Sequence, residues 1–538
     1  MHRKKQNFVE GAFILLLANL LVKVIGALFQ IPLKNMIGSD GFPAFGLFSM
    51  SYRIYMAMLV VSTVGLPAAL SKMVAEATTL GREHEVRRIV KVAACVFVPV
   101  GAVCSLLLYF GAGTLAGLIQ SPDATLAVQA IAPSVLMVAI LSVFRGYYQG
   151  KSNMVPTAVS QVIESLGKLF VGLGLAFMGM RHGLGAPMVA ALTVLGVTVG
   201  EVIAALYMIV QGLLRGRHTR SLVLNDAVRS PGTICKNLLM LSIPITISSA
   251  VMSVTDLIDV ALISTRLQDI GMSKDLAASV YGVYTGMAVN FFNLPQTLVT
   301  ALAISALPAI AGANASQNFT RISKTMGTTF RLTMMITLPA GAGFLILAEP
   351  VLRLVYHSDT ALAGPLMQIL GLAVPCVAVV AITNATLQAL GRADLPLISM
   401  FLGALVKLFS DYTLLGNPHI GITGAPVSTT LCYALIALLN LFQIGRLTRA
   451  LPPLGKTVLR PLASTIGMGA ATVICFQVCT RALGAVPGSM ADKGITLLSI
   501  VVAVAVYVVL LLSLHAIERD DILLMPGGEK IANLLHLK

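Results

Sequence analysis

Uninterrupted apolar stretches of about twenty residues or more recur along this whole sequence, and very few folds can accommodate them. Coiled into a helix, such a stretch matches the ~30 Å hydrocarbon layer of a bilayer and exceeds what a soluble core helix uses. In lipid every backbone N–H and C=O must be bonded within its own segment, so these runs become helices. Fourteen are read, near 11–33, 45–69, 89–110, 126–145, 157–179, 186–211, 237–263, 277–303, 328–348, 361–389, 396–415, 421–445, 459–482 and 494–516. The expected fold is therefore all-α, a polytopic membrane protein of about fourteen transmembrane helices. Composition agrees: 11% of the 538 residues are charged, against about 25% in soluble chains. The run from Gly11 to about Leu33 is longer than a signal-peptide core and lacks a small-residue cleavage site. It reads as a retained first span.

A net charge of +15 raises the question of nucleic acid, and the distribution of that charge answers it. One set of alternate loops and span ends holds 26 of the 37 lysines and arginines; the other set holds 7. That asymmetry is the positive-inside rule, so the charge sets topology rather than binding nucleic acid. It places both termini in the cytoplasm. The seven cysteines lie almost entirely inside apolar runs. Cys475 and Cys479 share a helix face, but the set resembles neither a disulfide framework nor a zinc site.

Landmarks recur at a near-constant offset. Leu66-Pro67-Ala68 returns as Leu307-Pro308-Ala309, Pro99-Val100-Gly101-Ala102 as Pro339-Ala340-Gly341-Ala342, and Pro156 as Pro396. Lys168-Leu169 returns as Lys407-Leu408, and Gly185-Ala186-Pro187 as Gly424-Ala425-Pro426. All offsets fall between 239 and 241 residues, a distance that contains six spans. An even number of spans sets both copies into the membrane from the same side. The expected architecture is two parallel six-helix lobes, residues 1–211 and 237–445, with helices 13 and 14 (446–516) appended and a cytoplasmic tail at 517–538. The basic segment 212–236 joins the lobes, with Arg215, Arg217, Arg220, Arg229 and Lys236 set against anionic lipid headgroups.

Ionisable side chains at bilayer depth cost about 2.5–3.5 kcal/mol each on the insertion scale, so each needs a partner or a wet cavity. Lys23 lies mid-way along the first span, about 15 Å from either end by helix rise, too far for its stem to reach the interface. Arg53 lies about two turns into the second span. Neither has an acid one turn away in its own helix, so both are candidates for a cavity that attracts anions; cross-helix bridges to Glu201 or Asp256 are the structural alternative. Glu164 precedes Lys168 by four residues and Asp411 follows Lys407 by four, so each pair shares a helix face. Self-neutralised pairs suit a contact between helices, and a substrate contact or gate is the competing reading. Asp256 and Asp259 sit near the end of the seventh span, as gate residues or as span-end acids. In the eighth, Tyr281, Tyr284, Asn290, Asn293 and Gln296 form a polar stripe that either lines a cavity or joins helices.

No phosphate-cradling glycine loop, nucleophile setting or metal-ligand spacing is present in the sequence, so it reads as a non-enzyme with neither metal nor cofactor. Asn314-Ala315-Ser316 and Asn384-Ala385-Thr386 match glycosylation sequons only by chance, because this topology keeps them inside or within a span.

The run Phe144-Arg145-Gly146-Tyr147-Tyr148-Gln149-Gly150, followed by Met154-Val155-Pro156-Thr157-Ala158-Val159-Ser160-Gln161-Val162-Ile163-Glu164, resembles the polysaccharide-transporter branch of the multidrug/oligosaccharidyl-lipid/polysaccharide (MOP) exporter superfamily. Within it, the segment is similar to the stage V sporulation protein B and lipid II flippase group. Lys23-Val24-Ile25-Gly26, Ser62 to Lys72, and Asn384 to Gln388 extend the likeness along the chain. The resemblance implies a fourteen-helix alternating-access flippase for a lipid-linked pyrophosphate oligosaccharide, with a cationic cavity for the pyrophosphate and a lipid groove by the appended helices. Lys23 falls where the family motif carries a basic residue, and Arg53 is the second candidate for the anionic headgroup. Peptidoglycan flippases often carry another cation in the eighth span, where this chain reads Val289-Asn290-Phe291-Phe292-Asn293-Leu294-Pro295; that departure leans toward the sporulation branch. Cell-wall synthesis proteins are the implied protein partners. A cation-coupled multidrug exporter of the same superfamily is the alternative, and it requires a carboxylate deep in a lobe. Glu201 and Asp256 are the candidates for that carboxylate, whereas the first span offers Asn19 and Lys23 instead.

Overall fold

A computed structural model describes residues 8–37, 43–63, 65–151, 153–216, 229–315, 317–392, 394–448, 455–484, 486–514 and 516. Among them there is no strand, and ten helices are long and apolar enough to cross a membrane. The contacts divide the chain into two compact units, Met1–Gly282 and Val283–Lys538.

The first unit holds α1 (Phe8–Ile37), α2 (Ala44–Thr63), α3 (Gly65–Thr79), α4 (Glu83–Phe110), α5 (Ala112–Leu118) and α6 (Thr125–Gly150). It continues with α7 (Val155–Gly167), a π-helical turn Lys168–Gly172, α8 (Leu173–Arg181), α9 (Ala186–Gly216) and α10 (Pro231–Asp269). α11 (Lys274–Val283) follows and ends at the unit boundary. α6 is the hub, packed against α2, α3, α4 and α9. The second unit holds a π-helical turn Tyr284–Ala288, α12 (Val289–Ala315), α13 (Phe319–Val355), α14 (Thr360–Ala389), α15 (Asp394–Leu415), α16 (Gly424–Thr448), α17 (Arg460–Leu483) and α18 (Met490–Ser513). There α14 is the hub, against α12, α13 and α16, while α17 and α18 pack on each other and on α13. Joined through their π turns and short breaks, these helices make fourteen rods that follow the fourteen apolar runs in order.

Local chemistry sets where the rods begin and turn. Ser230 caps α10 by accepting from Thr233 N–H at 3.3 Å, with Pro231 in its first turn, and Ser489 caps α18 from Asp492 N–H at 3.2 Å. Gly81 takes φ +72° in the turn between α3 and α4, a conformation glycine adopts without steric cost.

The helices reach beyond the apolar runs. α9 continues to Gly216 and α10 starts at Pro231, so both enter the expected 212–236 connector. Arg229, expected against headgroups, instead bridges Glu85 at 2.9 Å, and Arg88 donates to the Arg229 carbonyl at 3.3 Å. With Gln268 donating to the Gln120 carbonyl at 3.2 Å, α10 is fastened near both ends to the first unit. The packing boundary at Gly282 thus differs from the sequence-repeat boundary, because α10 and α11 lie with the first unit.

Candidate functional site

In the first unit two acids, Glu164 and Glu201, lie where α7 meets α9. Gly196 and Gly200, a small-xxx-small pair on α9, let the backbones touch. A Cβ on Gly200 would lie 2.6 Å from the Glu164 carbonyl oxygen, and one on Gly196 would lie 2.3 Å from Gly172 Cα. Glu201, one residue beyond, is thereby pressed into the junction at 1% exposure. The Tyr55 hydroxyl donates to its Oε1 at 3.1 Å, while its Oε2 is buried with no hydrogen-bond partner.

The expected Glu164–Lys168 pair does not form. Glu164 is taken by Arg145 of α6, whose Nη2 donates to Glu164 Oε2 at 2.9 Å and whose Nε donates to Ser160 Oγ at 3.1 Å. Lys168 opens the π turn, yet its N–H still donates to the Glu164 carbonyl in α-helical register, so the side chains part although the backbone spacing holds. Its ammonium lies 4.2 Å from the Tyr52 ring centroid and 4.9 Å from that of Phe29, within the range of a cation–π contact. Aromatic faces from α1 and α2 hold this cation instead of its own-helix carboxylate.

Lys23 is exposed on α1 and has no hydrogen-bond or ion-pair partner among the described residues. α1 buries Ile25, Phe29, Leu33 and Ile37 and exposes Leu17, Leu21, Val24 and Leu28. At 3.6 residues per turn Lys23 lies about 130° around the helix from the centre of that exposed leucine and valine stripe. The same side carries Gln30, half-buried, and Lys34, buried and 5.9 Å from the Phe45 ring centroid. The lysines of α1 thus occupy a polar strip apart from the apolar exposed one. Arg53 is half-buried on α2 and engaged in contacts there.

In the second unit the expected pair does form. Lys407 Nζ donates to Asp411 Oδ2 at 3.5 Å and to Thr429 Oγ1 at 3.2 Å, and Ser428 Oγ donates a short hydrogen bond to Asp411 Oδ1. Both members are buried, at 6% and 0% exposure, so the pair ties α15 to α16. Nearby, Asn440 Nδ2 donates to Thr383 Oγ1 at 3.1 Å and to Asn384 Oδ1 at 2.7 Å, joining α16 to α14.

The remaining gate candidates are dispersed. The side chain of Asp256 lies outside the described residues; Asp259 is half-buried in α10, ten residues before the helix end at Asp269. The expected Tyr281–Gln296 stripe is split by the π turn Tyr284–Ala288. Tyr281 and Tyr284 are buried, whereas Asn290 and Asn293 are half-buried. No group of three or more His, Cys, Asp or Glu side chains able to hold a metal ion occurs among the described residues.

Sequence reading passes over Arg145, Tyr52, Tyr55 and Phe29. Each reaches the junction from another helix; Arg145 lies in the Phe144–Gly150 run, which marks the family and not the site. One signal is present: Arg145 and Asn384, and Glu201 and Asn440, are each separated by the repeat offset of 239 residues.

Residues 8–314, more than half of the chain, match the family described as "Polysaccharide biosynthesis protein". The chain belongs to that family. Residues 244–413 also match the MatE family. Stage V sporulation protein B of Bacillus subtilis (strain 168) is 25% identical over 97% of this chain and 98% of its own length. The lipid II flippase MurJ of the same organism is 23% identical over 82% of this chain and 83% of its own length. Among solved structures, lipid II flippase MurJ in an inward closed conformation superposes with a TM-score of 0.68 at 14% identity, covering 92% of this chain and 97% of that one. The family member described above therefore has the all-α fold of the MOP superfamily of membrane transporters.

Proposed function

We propose that this protein is a flippase for a lipid-linked pyrophosphate oligosaccharide, and that it carries a peptidoglycan precursor of the lipid II type from the inner to the outer leaflet. The observation that carries the reading is Lys23: an exposed cation at bilayer depth, without an anionic partner among the described residues and turned away from the apolar exposed stripe of α1. A charge kept in that position at a cost of a few kcal/mol implies a wet cavity and an anion to meet it. The headgroup pyrophosphate is drawn to Lys23 and Arg53, the polyprenyl tail stays in lipid, and two six-helix lobes (1–211 and 237–445) rock to expose the cavity to either face. The termini and the basic connector lie in the cytoplasm of a bacterial cell, where anionic lipids and cell-wall synthesis proteins are the neighbours.

Family membership, together with relatives named as a sporulation protein and a lipid II flippase, supports this reading over others. The test is binding of lipid II to purified protein, with a lipid-linked monophosphate sugar and a cationic dye as competitors. Removing one charge-assisted contact costs about 1.5–3 kcal/mol, so Lys23→Ala weakens lipid II binding about tenfold or more. Lys23→Arg restores it. The second reading, a cation-coupled multidrug exporter, is favoured by the buried carboxylate of Glu201. Dye binding that lipid II cannot displace, and that survives loss of Lys23, selects that reading.

A further inference from the structure

One face of α10 stays open among the described residues, and its chemistry changes along the helix. Ile234 and Leu238 turn inward, into one core cluster with Leu70 and Val74 of α3 and Ile89 and Ala93 of α4. The opposite face borders an open recess of about 560 Å³ lined by Gly232, Cys235, Lys236, Leu239, Met240 and Ile243. By helix rise this stripe is about 16 Å long, the depth of one leaflet of a ~30 Å hydrocarbon layer. A Cβ on Gly232 would meet nothing within 4 Å, so the head of the recess is free space. Exposed Lys236 stands next, and beyond it the lining is apolar, with Met240 65% and Ile243 49% exposed.

A cation at the head of an apolar slot complements an amphiphile with an anionic head, and the surroundings add to that charge. Arg88 donates to the Arg229 carbonyl at 3.3 Å, which brings the exposed Arg87, Arg88 and Lys91 of α4 beside the start of α10. The acids that open α4 are already engaged. Glu85 is buried and bridged by Arg82 at 3.4 Å and Arg229 at 2.9 Å, and Glu83 is bridged by Lys151 at 2.8 Å. Lys91 and Lys236 have no hydrogen-bond or ion-pair partner among the described residues. We propose that the recess holds an anionic phospholipid of the inner leaflet, its phosphodiester on Lys236 and one acyl chain along Leu239, Met240 and Ile243. The lysine stem covers apolar surface while its ammonium reaches headgroup level. A zwitterionic head would set its own cation among these cations, so it is disfavoured. Among the lining residues Lys236 is the one charged donor. That serves a phosphodiester, whereas an oligosaccharide head would find no side-chain partners for its hydroxyls. The site rests on the topology of the flippase reading, which sets this end of α10 in the inner leaflet, and not on its substrate.

The chain contains no tryptophan, so Met240→Trp gives the full-length protein a single indole beside the recess. In phosphatidylcholine bilayers, phosphatidylglycerol with brominated chains should quench that indole more strongly than brominated phosphatidylcholine at the same mole fraction. One lysine near an anionic headgroup is worth about fivefold in binding. A preference of about that size is expected, and Lys236→Gln in the same background brings it close to one. Val501→Trp, mid-way along α18 and at a position also 65% exposed, should report no preference. Ile243→Trp stands in if Met240→Trp does not fold. Equal quenching by the two lipids beside the recess overturns the proposal. Displacement of the brominated lipid by unbrominated lipid II, at a lower mole fraction than unbrominated phosphatidylglycerol requires, overturns it too and gives the recess to the substrate. Lys23 is intact in every variant, so failure of the flippase reading shows separately, in the Lys23 dependence of lipid II binding.

Discussion

Asp411 and Lys407 show at single-residue scale how a buried pair differs from a caged cation. Asp411 is fully buried and satisfied by Lys407 and Ser428, so Asp411→Ala takes the carboxylate from Lys407, which is itself 6% exposed and keeps Thr429. Breaking a buried pair by removing one partner costs about 3–5 kcal/mol, whereas replacing both by apolar groups is often neutral. Thermal unfolding in detergent should therefore show a large loss for Asp411→Ala and recovery of most of it in the Lys407→Met/Asp411→Leu double variant. Lys168 has no such partner. Its ammonium lies over Tyr52 and Phe29, a contact of about 0.5–2 kcal/mol, and Lys168→Met keeps an apolar stem between the same rings. The expected loss is smaller than for Asp411→Ala, and an equal loss would show that Lys168 is paired in solution after all.

At the scale of the helices, the glycines of α9 place the junction. A Cβ at Gly196 falls 2.3 Å from Gly172 Cα, and one at Gly200 falls 2.6 Å from the Glu164 carbonyl oxygen. Backbone cannot yield as a flexible side chain can, so Gly196→Val pushes α9 off its neighbour. Size-exclusion profiles of the detergent-extracted variant should show loss of the monodisperse peak, while Gly174→Ala, which meets nothing within 4 Å, leaves it unchanged. The same helices mark the limit of what the sequence reveals. Hydrophobic run length alone gives the fourteen rods, because lipid leaves helices no alternative. The Lys407–Asp411 pair is legible for the same reason, since α15 keeps α-helical register from one to the other. Glu164 and Lys168 have the same spacing and the same register, yet Arg145 from α6 takes the carboxylate and Tyr52 and Phe29 take the ammonium. Partners from another helix are tertiary outcomes, and four-residue spacing has no means of announcing them.

For the whole molecule, orientation in the membrane follows from where arginine and lysine collect, and the two ends of the rods can be told apart chemically. His84, in the first turn of α4, lies at the end where Arg82, Arg87, Arg88, Lys151 and Arg229 gather. His182, between α8 and α9, lies at the opposite end, and both histidines are exposed. If the positive-inside asymmetry sets the topology, the first end is cytoplasmic and the second faces out. A membrane-impermeant maleimide applied to intact cells should then label His182→Cys and spare His84→Cys until the membrane is opened. The seven native cysteines supply the background, which the unsubstituted protein measures. Labelling of His84→Cys alone in intact cells would invert the molecule. It would put the basic connector outside, and transport from the inner to the outer leaflet would have to be abandoned together with the topology.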